Sequence, residues 1–463
     1  MPLLKVPKKW DDEADVMVVG AGNGGFPAAI TAADKGAKVI VLELWSAPAS
    51  SLAMIAGGTI FAGTDFQKAH GIDDSPDKLF NEAVEKTGGS PELWRVLADR
   101  QLDAYAWLQS IGAKPVAIFG NPGQDIVRCH RFEGHGTGLI KTLRRTADNK
   151  GIKTLYKHRA ERLVVDPTTG RVVGVTARHD DKVLNFRAKK AVILATGGFI
   201  MNRDMVKEYG PYSVGCLSKS APHHYGDGLK MALDVGASTT DIGVAASPSL
   251  STCVHTGKTT IMWNQGAIVI RPDGQRWADE MGRSYNVMFK EHMHYYPDGL
   301  HYIIYDNKIR EAASREDYSK LKEYSADTIE GLAEAVGLDP KALKATIDEF
   351  NSDIDTYGYD KKFGRKVWGG LMTEARVPKI DTPPYWGVKC LVALTSCKGG
   401  VTINGKAQVL DLYGGVIPGL YAVGEVTGGL FSRPEAYYAG TMTLVGFVFG
   451  IVAGENAVAE VGS

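Results

Sequence analysis

The chain begins with residues whose spacing suits phosphate chemistry. In ADVMVVGAGNGGFPAAITAADKGAKVIVLE a short apolar run leads into glycines at Gly20, Gly22 and Gly25, then a helix pattern, then a second apolar run ending at Glu43. Gly20 permits a tight turn. Gly22, with Gly24 beside it, lets backbone amides approach a pyrophosphate, and Gly25 allows a helix to pack closely on a strand. The helix N-terminus turns the positive end of its dipole toward phosphate oxygens, and Glu43 is placed to accept from an adenosine ribose hydroxyl. A lone GxGxxG is a common turn; the strand, the helix and the acid about 20 residues on together predict a dinucleotide site. A second stretch, GGLFSRPEAYYAGTMT at 428–443, sets small residues around an arginine, a glutamate and two adjacent tyrosines. Its aromatic content is too high for a linker.

Two further apolar runs supply the rest of a nucleotide-binding sheet. KKAVILATGGF at 189–199 runs into Thr196, Gly197 and Gly198, and GVIPGLYAVGEVTGG at 415–429 puts Gly424 and Glu425 at the end of a strand. No second GxGxxG of comparable quality follows, so a tightly held nicotinamide site is not indicated and electrons are expected to come from, or go to, an external donor or acceptor. Between these runs, YSKLKEYSADTIEGLAEAVGLDPKALKATIDEFNSDIDTYG reads as helices with apolar spacing of three and four, joined at a Gly-Leu-Asp-Pro turn.

Composition narrows the partners. The 463 residues suit two or three domains of about 150 residues each. Lys plus Arg equal Asp plus Glu at 53 each, which leaves no electrostatic footprint for nucleic acid or an acidic membrane surface and favours a small neutral or weakly charged partner. Cys129, Cys216, Cys253, Cys390 and Cys397 are odd in number and form no CxxC pair, which argues against a disulfide framework, a structural zinc or a c-type haem. The acidic N-terminal stretch lacks a signal-peptide core, and a reducing cytoplasm is the simplest expectation. The apolar run MTLVGFVFGIVAG at 442–454 is too short to span a membrane and is expected as a buried helix.

Taken together, VVGAGNGG, MIAGGTIFAGTDFQKAHGIDDSPDKLF, ATGGFIMN, GDGLKMALDVGA, GAIVIRPDGQRWADEMGRS, DPKALKATIDEFN, DTPPYWGVK and IPGLYAVGEVTGG resemble the flavoproteins of the fumarate reductase and succinate dehydrogenase group. The relatives of that group include urocanate reductases and 3-ketosteroid dehydrogenases. The resemblance covers nearly the whole chain and implies an α/β fold: a Rossmann-type FAD-binding domain in two segments, 1–243 and 367–463, with an inserted α+β capping domain at 244–366. It adds Gly57 and Gly58, Asp227 and Leu444 to the expected FAD contacts. SSLAMIAGG at 50–58 has no histidine where the succinate dehydrogenase branch bonds its flavin, so the FAD is expected to be non-covalent.

The chemistry implied by the resemblance is a two-electron exchange between flavin N5 and a carbon–carbon bond beside a carbonyl. In the reducing direction, enolate-like charge on the oxygen needs a hydrogen-bond donor and the α carbon needs an acid. Arg283 of GQRWADEMGRS aligns with the arginine that gives fumarate reductases their proton; its alternative is an ion pair with Glu280. The group's relay glutamate and arginine fall on Thr260 and Trp263, and two substrate histidines on Ser247 and Ser396, so fumarate is not the expected substrate. SRPEAYYAGTMT looks closer to the ketosteroid dehydrogenases: Tyr437 or Tyr438 is placed to donate to a ketone, with the Gly440 amide as second donor, while either tyrosine alternatively packs in the core. Arg433 reaches substrate or pairs with Glu435, and His130 of RCHRFEGHGTG is a candidate for contact with flavin or substrate. His292, His294 and His301 lack an accompanying ligand pattern, and no metal is expected. The expected substrate carries a carbonyl-conjugated C=C, of 3-oxosteroid type. The alternatives are an enoate reductase for an aromatic or monocarboxylate substrate with Arg283 as acid, and a flavin electron-transfer subunit completed by a partner.

Overall fold

A computed structural model describes residues 6–48, 58–121, 124–242, 248–260, 266–280, 285–312, 319–366, 377–433 and 438–461. The first strand, β1 (Asp12–Val19), buries Val16, Met17, Val18 and Val19 in succession, the pattern of a central parallel strand covered on both faces. It pairs in parallel with β2 (Val39–Leu42) on one side and with the strand Lys182–Leu194 on the other. Lys153–Leu155 extends the sheet beyond β2, and Val416–Ala422 extends it beyond Lys182–Leu194, both in parallel. The hairpin Arg159–Val165 and Val172–His179 is antiparallel to the N-terminal half of Lys182–Leu194, and Gln408–Leu410 is an antiparallel edge. This is the expected Rossmann-type sheet, and the carboxyl ends of its parallel strands, where such folds bind ligands, carry the Gly20, Thr196 and Gly424 turns.

The helix α1 (Gly25–Asp34) packs on the C-terminal helix Thr441–Ala459 through a stripe of small residues. A Cβ at Gly450 would sit 2.7 Å from Gly24 O, and one at Gly454 2.6 Å from Ala28 O. Backbone therefore meets backbone along the stripe. Among the described residues the C-terminal helix is the one long and apolar enough to cross a membrane, and 72% of its apolar window is buried in the protein.

The second layer of the molecule is a mostly antiparallel sheet centred on Tyr385–Leu394. Pro248–Cys253 and His301–Asp306 flank that strand, Thr259–Thr260 and Ile268–Ile270 lie outside them, and Tyr324–Ala326 and Leu217–Ser218 also pair with the central strand. The helices Ile329–Val336 and Pro340–Tyr357 belong to this cap. Between them Gly337 takes φ 86° and the Asp339 side chain accepts from Ala342 N at 2.7 Å, ahead of Pro340, so the Gly-Leu-Asp-Pro turn forms as its sequence dictates.

An insertion confined to 244–366 would omit the central strand of this sheet, so the chain returns to the nucleotide-binding layer only after Leu394. An apolar strand reads the same whichever of two sheets receives it, and only the long-range pairing decides.

Four histidines sit inside the fold as neutral rings; burial pulls the pKa of one of them, His224, down to about 3. His130 bonds Thr64 Oγ1 (2.8 Å) and the Arg128 carbonyl (2.7 Å). His301 bonds Ser251 Oγ (2.5 Å) and the Gly299 carbonyl. His292 is stacked between Trp277 and Tyr296 with Nε2 on the Leu300 carbonyl. Burial pulls the pKa values of His130, His301 and His292 down to about 4, about 3 and about 4 respectively. Unfolded, all four titrate near 6.5, so the unfolded chain takes up the protons first. Their stabilisation is complete above that value and is lost as pH falls toward 4. Four such groups steepen the loss to as much as about 5 kcal/mol per pH unit. Urea titrations between pH 7 and 5 are expected to show this slope, reduced by about one proton in His301→Gln; an unchanged slope in the variant would remove His301 from the account.

Candidate active site

The pyrophosphate turn is built so that only glycine fits. Gly20 has φ 109°, and a Cβ there would lie 2.3 Å from Ala195 O; at Gly25 it would lie 1.8 Å from Gly20 O. Helix α1 has neither a side-chain cap nor an acidic residue in its first turn, so its amides and dipole remain for an anion. Gly22 and Gly24 accept from Phe26 N and Ala28 N, fixing the turn. Glu43 is buried. Its Oε2 accepts from Ala21 N and its Oε1 from Trp45 N, both at 2.8 Å, while burial holds its carboxyl above the ordinary range.

The Thr196 and Gly424 turns face this one. Gly197 (φ 72°) packs on His224, Gly198 on Glu425 and Cys397, and Gly424 (φ 78°) opens onto free space, with nothing within 4 Å of an added Cβ. Glu425 Oε1 accepts from Cys397 N at 2.7 Å, tying the nucleotide layer to the segment that leaves the cap. Asp227, expected at the cofactor, holds Arg159 through two 2.9 Å hydrogen bonds. Gly58 lies against Cys129 and His130, and Leu444 is buried in the first turn of the C-terminal helix. Gly57 lies outside the described residues.

Whether a flavin nucleotide fits can be judged from buried polar atoms that the protein leaves unpaired. Among the described residues, Thr59 Oγ1, Gln124 Oε1, Thr196 Oγ1, Ser396 Oγ and Thr441 Oγ1 have no hydrogen-bond partner. Each such atom costs about 1–3 kcal/mol unless something satisfies it. They fall in the Gly58 turn, the 121–124 segment, the Thr196 turn, the Cys397 segment and the start of the C-terminal helix. A flavin's ring carbonyls and nitrogens and its ribityl hydroxyls are partners of the right kind, so the donor set fits FAD.

The stretch 428–443 is pinned at many points. Ser90 N donates to Gly429 O (2.7 Å), Gly429 N and Ser432 Oγ donate to Asp241 (3.2 Å each), and Trp94 Nε1 donates to Leu430 O (3.2 Å). Arg433 is exposed and lies along Gly88, where a Cβ would come 3.0 Å from its Nε. Tyr438 is buried, and its hydroxyl accepts from Arg128. Arg128, itself sealed from solvent, grips Asp74 with two hydrogen bonds (2.7 and 2.9 Å) and also donates to Glu82. Burial, reinforced by the Glu82 charge, keeps the Tyr438 phenol protonated far above its ordinary range. Next in the chain, the Ala439 carbonyl accepts from Gln124 Nε2 at 2.9 Å. Gly440 then starts the C-terminal helix at φ 86°, packed against Ile60, with no side-chain cap and no acidic residue in the first turn.

Tyr437 and Arg283 lie outside the described residues, as do Trp263, Ser247 and Glu435. Glu280, the alternative partner for Arg283, is already occupied: it binds Arg276 (3.0 and 2.7 Å), Arg365 (3.0 Å) and Val269 N (3.0 Å). His130 faces Thr64 and a cage of Phe61, Phe66 and Tyr105, with both ring nitrogens bonded inside the protein. The burial of Thr395, Ser396, Cys397 and Lys398 in succession where the cap strand enters the nucleotide layer was not anticipated; nor were Gln124 and Arg128.

A Rossmann-type sheet whose glycine turns lie together at the carboxyl ends of its parallel strands is the fold of an FAD-dependent oxidoreductase. The chain matches the FAD binding domain family model over residues 15–436 and belongs to that family. It is 32% identical to the probable fumarate reductase Ifc3 of Shewanella frigidimarina, over 98% of this chain and 79% of that one. Among solved structures it resembles the open conformation of a flavocytochrome c3 fumarate reductase (TM-score 0.80, 31% identity, 97% and 79% of the two chains). It also resembles 3-ketosteroid-Δ4-(5α)-dehydrogenase from Rhodococcus jostii RHA1 in complex with 4-androstene-3,17-dione (TM-score 0.79, 26% identity, 97% and 98%). The protein is an FAD-dependent oxidoreductase acting on CH–CH bonds.

Proposed function

We propose that the substrate is a bulky, mostly apolar enone of the 3-oxosteroid type, with its carbonyl oxygen held by the Gly440 amide and the Tyr437 hydroxyl. The supporting observation is the segment 438–440. Tyr438 is buried with its hydroxyl inside the charge cluster, accepting from Arg128 and hydrogen-bonded to Glu82, which leaves the donor role to Tyr437, and Gly440 opens an uncapped helix beside Gln124 Oε1 and Thr441 Oγ1, unpaired among the described residues. When bound, non-covalent FAD supplies the two-electron exchange at the substrate's β carbon. The amide of Gly440 and the helix dipole stabilise charge growing on the carbonyl oxygen, Tyr437 holds a proton at that oxygen, and Arg283 is the candidate acid toward the α carbon. Gly20, Gly22, Gly24 and Gly25 hold the pyrophosphate, Glu43 the ribose, and the Thr196, Gly424 and Gly58 turns the remainder.

A second reading, reduction of an aromatic or monocarboxylate enoate with Arg283 as acid, is supported by the likeness to urocanate reductase of Eggerthella lenta, 30% identical over 98% of this chain and 76% of that one. Anaerobic reoxidation of photoreduced holoenzyme distinguishes the two. Recovery of the oxidised spectrum with a 3-oxo-4-ene steroid, and not with cinnamate, urocanate or fumarate, is expected. Recovery with an enoate alone would move the function to the second reading.

A further inference from the structure

We infer that Tyr438 and Gln124 are positioning residues, which aim the Gly440 amide at the reacting carbonyl by locking the two residues before it to the buried Arg128 cluster. The inference rests on the donor role proposed above for Gly440.

Three consecutive residues are fixed from three directions. At Tyr438 the hydroxyl accepts from Arg128 at 2.5 Å, and the ring meets Trp94 edge-on at 6.1 Å. At Ala439 the carbonyl accepts from Gln124 Nε2 at 2.9 Å. At Gly440 a side chain is forbidden twice, by φ 86° and by Ile60, whose Cγ2 would be 2.9 Å from a Cβ. Thr441 N then donates back to Tyr438 O at 3.1 Å, closing the turn that launches the helix. The far side of the lock is stiff. Arg128 is fully buried and spends its guanidinium on Asp74, Glu82 and Tyr438 at once, and Lys86 braces Glu82 at 3.1 Å. Removing any partner from such a cluster leaves a buried charge uncompensated, so the cluster resists rearrangement.

A structural role for this cluster would be complete without a ligand, yet two atoms at its edge are left unpaired. Gln124 is 3% exposed, and with Nε2 committed to Ala439 its Oε1 has no partner among the described residues, nor has Thr441 Oγ1. The lock therefore borders a surface that a bound molecule completes, and a donor set within a fraction of an ångström of its target is what such bracing provides.

The test uses FAD-loaded enzyme and a series of substituted phenols, whose anions imitate the enolate oxygen. In the wild type, affinity is expected to rise with phenol acidity, as donors prefer the phenolate. In Tyr438→Phe, and likewise in Gln124→Leu, that preference is expected to fall about tenfold while FAD content is unchanged. If the wild type prefers the phenolate and both variants keep the full preference, the inference is overturned and the donor role stands. If the wild type shows no preference, the donor role falls and the inference falls with it. A variant that loses only thermal stability counts as the first of these outcomes.

Discussion

Gly25→Ala is expected to emerge from purification colourless, with FAD affinity down by more than about 100-fold. The added methyl would lie 1.8 Å from the Gly20 carbonyl oxygen, a separation that backbone must move to relieve. The movement opens the turn whose amides face the pyrophosphate and turns the α1 dipole off its target; about 2.7 kcal/mol lost from these interactions is a 100-fold change. Gly151→Asn is the control: that glycine has φ 70°, nothing lies within 4 Å of an added Cβ, and asparagine tolerates the left-handed region. The ratio of absorbance at 450 nm to that at 280 nm after gel filtration reads both. A yellow Gly25→Ala protein would show that the pyrophosphate does not sit on this turn.

The two tyrosines are expected to separate. Tyr437→Phe should slow reoxidation of the reduced enzyme by the enone by about 100- to 1000-fold, the usual cost of one donor at a developing oxyanion, with unfolding unchanged. Tyr438→Phe should slow it by about tenfold and also lower stability by about 1–3 kcal/mol, because one arm of the buried Arg128 loses its acceptor. Stopped-flow reoxidation and denaturant titration on the same preparations give both numbers. Equal rates in the two variants and the wild type would remove tyrosine from the chemistry altogether.

Local chemistry carried most of what was legible in the sequence. The strand–turn–helix around Gly20, Gly22 and Gly25, the acid at Glu43 and the Gly-Leu-Asp-Pro turn are written in residues within reach of one another, where steric exclusion and capping act directly. Long-range partnerships were not legible. Arg128 and Tyr438 are 310 positions apart, so no local pattern in RCHRFEG names the partner of its first arginine. His130 turns inward to Thr64. Asp227 shows the same limit, since its two bonds to Arg159 join a helix start to a distant strand. Tyr385–Leu394 is apolar enough for either sheet, and its place in the cap follows from partners on both sides that no local pattern names.

The glycine stripe between α1 and the C-terminal helix also has a meaning in the order of synthesis. The nucleotide turn is made about 400 residues ahead of Gly450 and Gly454, on which the helix that it supports packs backbone to backbone. At about 5–20 residues per second, the N-terminal half-site waits tens of seconds for its other wall. The helix whose start carries Gly440 is the same late arrival. The turn therefore gains its second wall only once Thr441–Ala459 has been made, and a product truncated ahead of Thr441 carries an open turn with nothing to close it.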